Sequence, residues 1–217
     1  MKVENQKLRP RIKKFCKIIE KEFDQIPKKR KDILLTLSNY ISDKIKEGQT
    51  PQIVVICTHN SRRSHIGQIW LAVGAEYYQL PPIRTFSGGT EATAFNIRAV
   101  EAFRRIGFRI AVELEKSNNP IYHIRWNSEM EPYLAFSKKY EDQPNPNDNF
   151  AAIMVCSEAD EGCPFVPGCE FRLSLPYEDP KAFDGTKWEA EKYDERIRQI
   201  GREMLFVLSS IKIQKSE

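Results

Sequence analysis

Residues 53 to 64 read IVVICTHNSRRS: an apolar run, a cysteine, five more residues, and then an arginine followed by serine. Cysteine as thiolate is a nucleophile, and an arginine six residues on supplies a planar fork of donors that matches two oxygens of a tetrahedral anion. The apolar run reads as a buried strand and the residues after Arg63 as a helix. A turn between strand and helix gathers backbone N–H groups and a helix N-terminus at one point, which binds an oxyanion and favours the thiolate. Thr58, His59, Asn60, Ser61, Arg62, Arg63 and Ser64 are therefore the candidate oxyanion-binding loop around the nucleophile Cys57. Within it Ser64 can donate to the sulfur, and Asn60 suits a left-handed backbone turn. Of the five cysteines, only Cys57 has arginine at this spacing.

Cys156 ends a second apolar run, AAIMVC, and Cys163 stands seven residues later in CSEADEGC. Zinc ligands usually lie two to four residues apart in sets of four, and no histidine is near, so a redox pair fits better than a metal site. If 156 to 163 were helical the two Cα atoms would lie roughly 10 Å apart, beyond the ~7 Å reach of a disulfide, so oxidation requires the segment to unwind. Ser157, Asp160 and Gly162 make unwinding easy. Cys16, beside Phe15 on an amphipathic helix, reads as packing. Cys169, after Pro167 and Gly168, has no assigned role. An oxygen leaving a tetrahedral centre needs a proton, and Asp160, Glu178, Asp179 and Asp184 are the carboxyls available near the cysteines and after the last predicted strand.

The elements that must position these groups follow from periodicity. Ile12, Phe15, Ile19 and Phe23 mark a helix over 8–25, and Ile33, Leu34, Leu37, Tyr40, Ile41 and Ile45 a second over 28–47, joined at Pro27. Beyond Pro51 the texture becomes α/β: strands at 53–56, 83–87, 151–156 and 171–175 alternate with helices at about 63–79, 94–106 and 186–211. Such alternation implies a four-stranded parallel sheet with helices on both faces. PIYHIRW and PYLAFSKKY predict a β-hairpin insert within about 118–149, closed by the polar loop EDQPNPNDN. The expected organisation is an N-terminal helical extension over 1–50 and a catalytic domain over 51–217.

Composition narrows the class. The charged fraction of 29% and apolar fraction of 41% suit a water-soluble chain, and no apolar run is long enough for a membrane span. The first residues are basic with no apolar stretch behind them, so they do not read as an export signal, and a cytoplasmic address with reduced thiols is expected. The net charge of +4 comes from an excess of Lys and Arg in the first 50 residues. There the basic residues are interleaved with acids at helical spacing, which reads as a solvated face; nucleic acid and membrane are not expected partners.

With these residues in place, the chain resembles the low-molecular-weight protein tyrosine phosphatases and the thioredoxin-coupled arsenate reductases, two groups that share one fold. CTHNSRRS resembles their anion loop, and the likeness continues in order through FSGGTEATAFNIRAVEAFRRIGFRI, VCSEADEGCP and YEDP, spanning roughly 52 to 212. It implies Cys57 as nucleophile, Arg63 as oxyanion ligand and Asp179 as general acid, and no cofactor beyond a potassium ion. In the reductases Cys156 would resolve the adduct on Cys57, and Cys163 would capture the resulting disulfide for reduction by thioredoxin. In the phosphatases water would hydrolyse a Cys57 phosphoenzyme formed from phosphotyrosine. A non-catalytic oxyanion or redox sensor is the third reading. Four departures stand out: His59 replaces a usual glycine and Arg62 a second cysteine. Asn60 and Ser87 match the reductases' potassium site, whereas Gln68 stands where they carry an acid. Lys181 and Ala182 follow Asp179-Pro180 where the phosphatases carry aromatics, which favours arsenate over phosphotyrosine.

Overall fold

A computed structural model describes residues 8–113, 117–163 and 165–211. The first seven residues of the basic N-terminal run, and Pro164 of the VCSEADEGCP motif, lie outside them. In chain order the first half holds α1 (Pro10–Glu20), α2 (Lys28–Lys46), β1 (Gln52–Cys57), α3 (Arg63–Tyr77), β2 (Arg84–Gly89) and α4 (Ile97–Ile106). The second holds β3 (Arg109–Glu113), β4 (Ile121–Arg125), β5 (Tyr133–Ala135), β6 (Phe150–Met154), α5 (Ser157–Gly162), β7 (Cys169–Ser174) and α6 (Glu189–Ser209). Short 3-10 turns occupy Phe23–Gln25 and Pro180–Phe183.

The four expected strands form one parallel sheet in the order β2-β1-β6-β7, flanked by helices. β1 and β6 are central and almost wholly buried, which is why their sequences are continuous apolar runs rather than alternating ones. α3 packs on β1 and β2, and α6 packs on α3 with α1, α2 and α4 against it. The buried residues of α6 include Tyr193, Ile197, Ile200, Met204 and Leu208, spaced three or four apart, so one stripe faces the protein. α4 starts at Asn96, whose side chain accepts from Arg98 N, and ends at Gly107 in the left-handed conformation.

The N-terminal helices lie against the catalytic fold. Ile12, Cys16 and Ile19 of α1 and Leu34, Leu37 and Ile41 of α2 are fully buried in the same apolar cluster as the sheet. Tyr40 of α2 stacks on Phe171 of β7 at 4.9 Å. Burial pushes the Cys16 thiol up to about 12, so it is an inert packing residue, as its position on α1 suggested. Among the described residues no helix is long and apolar enough to cross a membrane.

The insert differs from a simple hairpin. β3 pairs antiparallel with β4, and β4 with β5, so the hairpin strands extend a strand that follows α4 into a three-stranded sheet. β5 is only three residues long. The chain after it leaves that sheet and runs beside the end of β2, where Gly89 and Lys139 form a parallel bridge. The predicted strand through PYLAFSKKY is thus cut short, because Ser137 and Lys138 instead bond to the loop that follows β1.

Candidate active site

Cys57 closes β1, and the chain turns through Thr58 to Arg62 before α3 begins at Arg63. Asn60 has φ 44°, the left-handed turn its residue type permits. Its side chain is fixed by two bonds. Oδ1 accepts the main-chain N–H of Lys138 at 2.9 Å, which leaves Nδ2 to donate to Ser64 Oγ at 2.9 Å. With its oxygen already accepting, the Ser64 hydroxyl is free to donate to Cys57 Sγ, 3.1 Å away. Cys57 and Ser64 are buried.

The loop is held from outside at its carbonyls. Thr58 O accepts from Glu91 N and Thr90 Oγ1, His59 O from Thr93 Oγ1 and Ser137 Oγ, and Ser61 O from Asn96 N. Engaging the carbonyls this way keeps them out of the anion cradle. Gly88 and Gly89 make the arrangement possible: a Cβ on Gly89 would lie 2.6 Å from Asn60 N and Thr58 O, and one on Gly88 2.3 Å from the Tyr140 Cα. The Ser-Gly-Gly at 87–89 was the sequence signal for this close approach. Ser137 and Lys138 were not singled out in the sequence because their contact with the loop spans 78 residues.

Arg63 is 7% exposed. Nη1 donates to Tyr177 O at 2.9 Å and Nη2 to Asp179 Oδ2 at 2.9 Å, while Nε is buried with no protein partner among the described residues. The guanidinium thus joins the loop to the candidate acid and keeps a donor for a further acceptor. Asp179 caps its own 3-10 turn through Oδ1 and Lys181 N. Arg62 was among the candidate oxyanion-binding residues. Instead its side chain donates to Tyr193 Oη at 2.7 Å and lies 3.3 Å from Asp184 Oδ2 and 3.9 Å from Asp179 Oδ1. Its charge is spent on the acid-bearing segment. His59 is turned outward, 3.7 Å from Glu91.

Cys156, two residues past β6, reaches the same place from the neighbouring strand. The main-chain N–H of Thr58 donates to Cys156 Sγ at 3.2 Å, and Thr58 Oγ1 lies 3.3 Å from it. Burial raises the Cys156 thiol above its usual 9.0, partly offset by these contacts to Thr58. Cys163 caps the far end of α5, half-buried. Since 157–162 is helical, the two thiols stand at opposite ends of one short helix. Asp160, expected from its residue type to ease unwinding, instead latches that helix to β7: it meets Arg172 Nη2 at 2.5 Å and Ser174 Oγ at 2.5 Å, and Arg172 also donates to the carbonyls of Asp160 and Cys163.

The residues matched to a potassium site are engaged by protein contacts, except that Gln68 Oε1 is buried with no protein partner among the described residues. Asn60 is committed as described, Ser87 Oγ faces His65 Nδ1 at 3.2 Å, and Gln68 Nε2 donates to Thr85 O and Tyr133 Oη. Among the described residues no group of three or more acids, histidines or cysteines is placed to hold a metal. Beside them lies Lys138, 6% exposed and pushed down to about 8 by burial. A cleft of about 540 Å³ opens next to the loop between Ser61, Thr93, Phe95 and Tyr122. Size alone does not locate the chemistry, for a larger cleft of about 650 Å³ between α1, α4 and α6 contains none of these residues.

No protein-family model matches the chain. Over 153 residues it is 24% identical to an arsenate reductase of Bacillus subtilis, a match covering 70% of this chain and 91% of that protein. It is 27% identical over 138 residues to arsenate reductase 2 of Staphylococcus epidermidis, covering 63% and 81%. In structure it is similar to a low-molecular-weight phosphotyrosine phosphatase from Vibrio cholerae O395, with a TM-score of 0.50 and 14% identity over 74% of this chain and 95% of that one.

Proposed function

From a chain similar in sequence to arsenate reductases and in fold to low-molecular-weight phosphatases, we propose an enzyme that reduces arsenate to arsenite through Cys57, Cys156 and Cys163. The Cys57 thiolate attacks arsenic. One As–O bond breaks, and Asp179 protonates the departing oxygen, which leaves as water. Arg63 and the loop N–H groups hold the remaining oxygens. The Cys156 thiolate then attacks Cys57 Sγ: an S–S bond forms, the S–As bond breaks, and its electron pair reduces arsenic(V) to arsenic(III), which departs as arsenite. Cys163 attacks Cys156 Sγ, frees Cys57, and leaves a Cys156–Cys163 disulfide for a thioredoxin-type dithiol.

The observation that carries this reading is the contact between Thr58 and Cys156 Sγ, since it sets a second thiol beside the residue next to the nucleophile. Hydrolysis of a phosphoenzyme has no use for it. The phosphatase reading shares Cys57, Arg63 and Asp179 and is the runner-up on fold. Oxyanion substrates are common to both. The experiment that separates them is single-turnover arsenite release by the reduced full-length protein, run beside aryl phosphate turnover. Cys156→Ser should stop arsenate at the covalent adduct while aryl phosphate hydrolysis stays within a few-fold of wild type. Cys163→Ser should allow one reduction and strand a Cys57–Cys156 disulfide, detectable by non-reducing peptide mapping. If the wild type releases no arsenite but hydrolyses phosphotyrosine well, the phosphatase reading takes over.

A further inference from the structure

Tyr177 lies between the anion loop and the candidate acid, and each of its polar groups is used. Its N–H donates to Val155 O at 3.1 Å, immediately before Cys156, and its carbonyl accepts from Arg63 Nη1 at 2.9 Å. Its hydroxyl donates to Glu203 Oε2 of α6 at 2.7 Å. The position of this one residue therefore sets both the Arg63 fork and the start of the segment that ends in Asp179, two residues on.

What grips Tyr177 from behind is a residue of the N-terminal helices. Arg30, in the first turn of α2, donates through Nε to Glu203 Oε2 at 2.8 Å and through Nη2 to Pro176 O at 3.2 Å. Its guanidinium also lies 4.7 Å from the centre of the Tyr177 ring. Glu203 is 2% exposed, so its carboxylate depends on these two donors for solvation. A lysine could pair with Glu203 but could not also cover the ring and reach Pro176 O, which explains why a planar fork stands here.

We propose that Arg30 is a positioning residue for the reaction: through Glu203, Pro176 and Tyr177, the N-terminal helix α2 fixes where Arg63 and Asp179 stand. This rests on the reading of Arg63 and Asp179 given above and adds to it a catalytic purpose for α2, which the anion loop and the cysteines do not require.

The test compares the full chain with Arg30→Met and with Arg30→Met/Glu203→Gln. The double variant removes the charge that the single change would leave buried with only the Tyr177 hydroxyl, and its amide oxygen still accepts from that hydroxyl. In both, single-turnover arsenate reduction should slow about tenfold or more, because displacing a reacting group by a fraction of an ångström carries a cost of that order. Inhibition by inorganic phosphate should weaken less than the rate does, by about threefold, because Arg63 is one donor to the anion while the N–H cradle at 57–64 is held by other contacts. Amide hydrogen exchange should rise across 175–184 and stay unchanged across 57–64. Reduction within about twofold of wild type in both variants overturns the proposal, as does unchanged exchange across 175–184. Parallel losses of rate, phosphate binding and melting temperature also overturn it, because they make Arg30 a purely structural residue. If the wild type releases no arsenite, the functional reading fails by itself, and exchange across 175–184 still decides whether Arg30 holds the segment.

Discussion

Arg63 and Asp179, 116 residues apart, are joined by a bond of 2.9 Å between Nη2 and Oδ2, while Nη1 of the same guanidinium holds the carbonyl of Tyr177. Arg63→Lys keeps the charge but cannot make both bonds and still present a donor to an anion. The expected result is a fall in kcat/KM of about a hundredfold or more with the fold intact, of the size seen when one donor to a developing oxyanion is lost. Steady-state kinetics with arsenate check it, and unchanged kinetics would remove Arg63 from the site.

The second chemical step should carry the mark of a buried thiol. Burial raises Cys156 above 9.0, so near neutral pH it is protonated, and the proposed attack on Cys57 would require loss of that proton first. Arsenite release in single turnover should therefore quicken with pH between about 7 and 9, approaching tenfold per unit while the thiol stays mostly protonated. A flat profile with Cys57 already loaded would mean that Cys156 is not the attacking group.

Asp160 holds α5 to β7 through Arg172 and Ser174. Asp160→Asn weakens both contacts, so the helix between Cys156 and Cys163 should unwind more readily and their disulfide should form faster under a mild oxidant. About fivefold is expected from weakening of charge-assisted contacts by roughly 1 kcal/mol in all. Timed thiol trapping reads the rate. A slower rate would show that α5 does not limit the approach of the two sulfurs.

His65 is fully buried, stacked on Phe95 at 4.1 Å, and its Nε2 finds no partner among the described residues. Burial first, and Lys138 second, hold its pKa well below 6.5. The unfolded chain therefore takes up a proton below about pH 6.5 that the folded chain refuses, so stability is full above that pH and falls below it, by up to about 1.4 kcal/mol per pH unit. Urea unfolding at pH 7.5 and 5.5 should show this loss, and His65→Asn should show less of it. Equal acid sensitivity in the variant would place the titrating group elsewhere.

Much of this was legible along the chain, and the reason is physical. Central parallel strands are buried on both faces, so IVVI and AAIMV advertise themselves as apolar runs, and a strand-turn-helix carrying Cys57 and Arg63 is encoded within twelve consecutive residues. That a helix between Cys156 and Cys163 would hold the two thiols apart follows from helical rise, and a helix does stand between them. The three-stranded sheet was only half visible, because β3 is short, half-exposed, and acquires its partner from an insert.

What the local sequence could not encode is which distant groups meet. The charge of Arg62 suggested an anion ligand, yet Tyr193 and Asp184 claim it, and no periodicity in the chain announces that pairing. Ser137 and Lys138 read as the tail of a strand and became the brace of the anion loop, because β2 needed a neighbour for its Gly88-Gly89 end. The N-terminal helices read as a separate basic extension, whereas packing on α6 and β7 carries Arg30 to the acid segment. Residue type and spacing set out the reagents, since a thiol, a guanidinium and a carboxyl bring their chemistry with them. Which of them share a hydrogen bond was decided by the tertiary structure, where burial makes an unpaired polar group costly and each donor takes the partner that folding brings within reach.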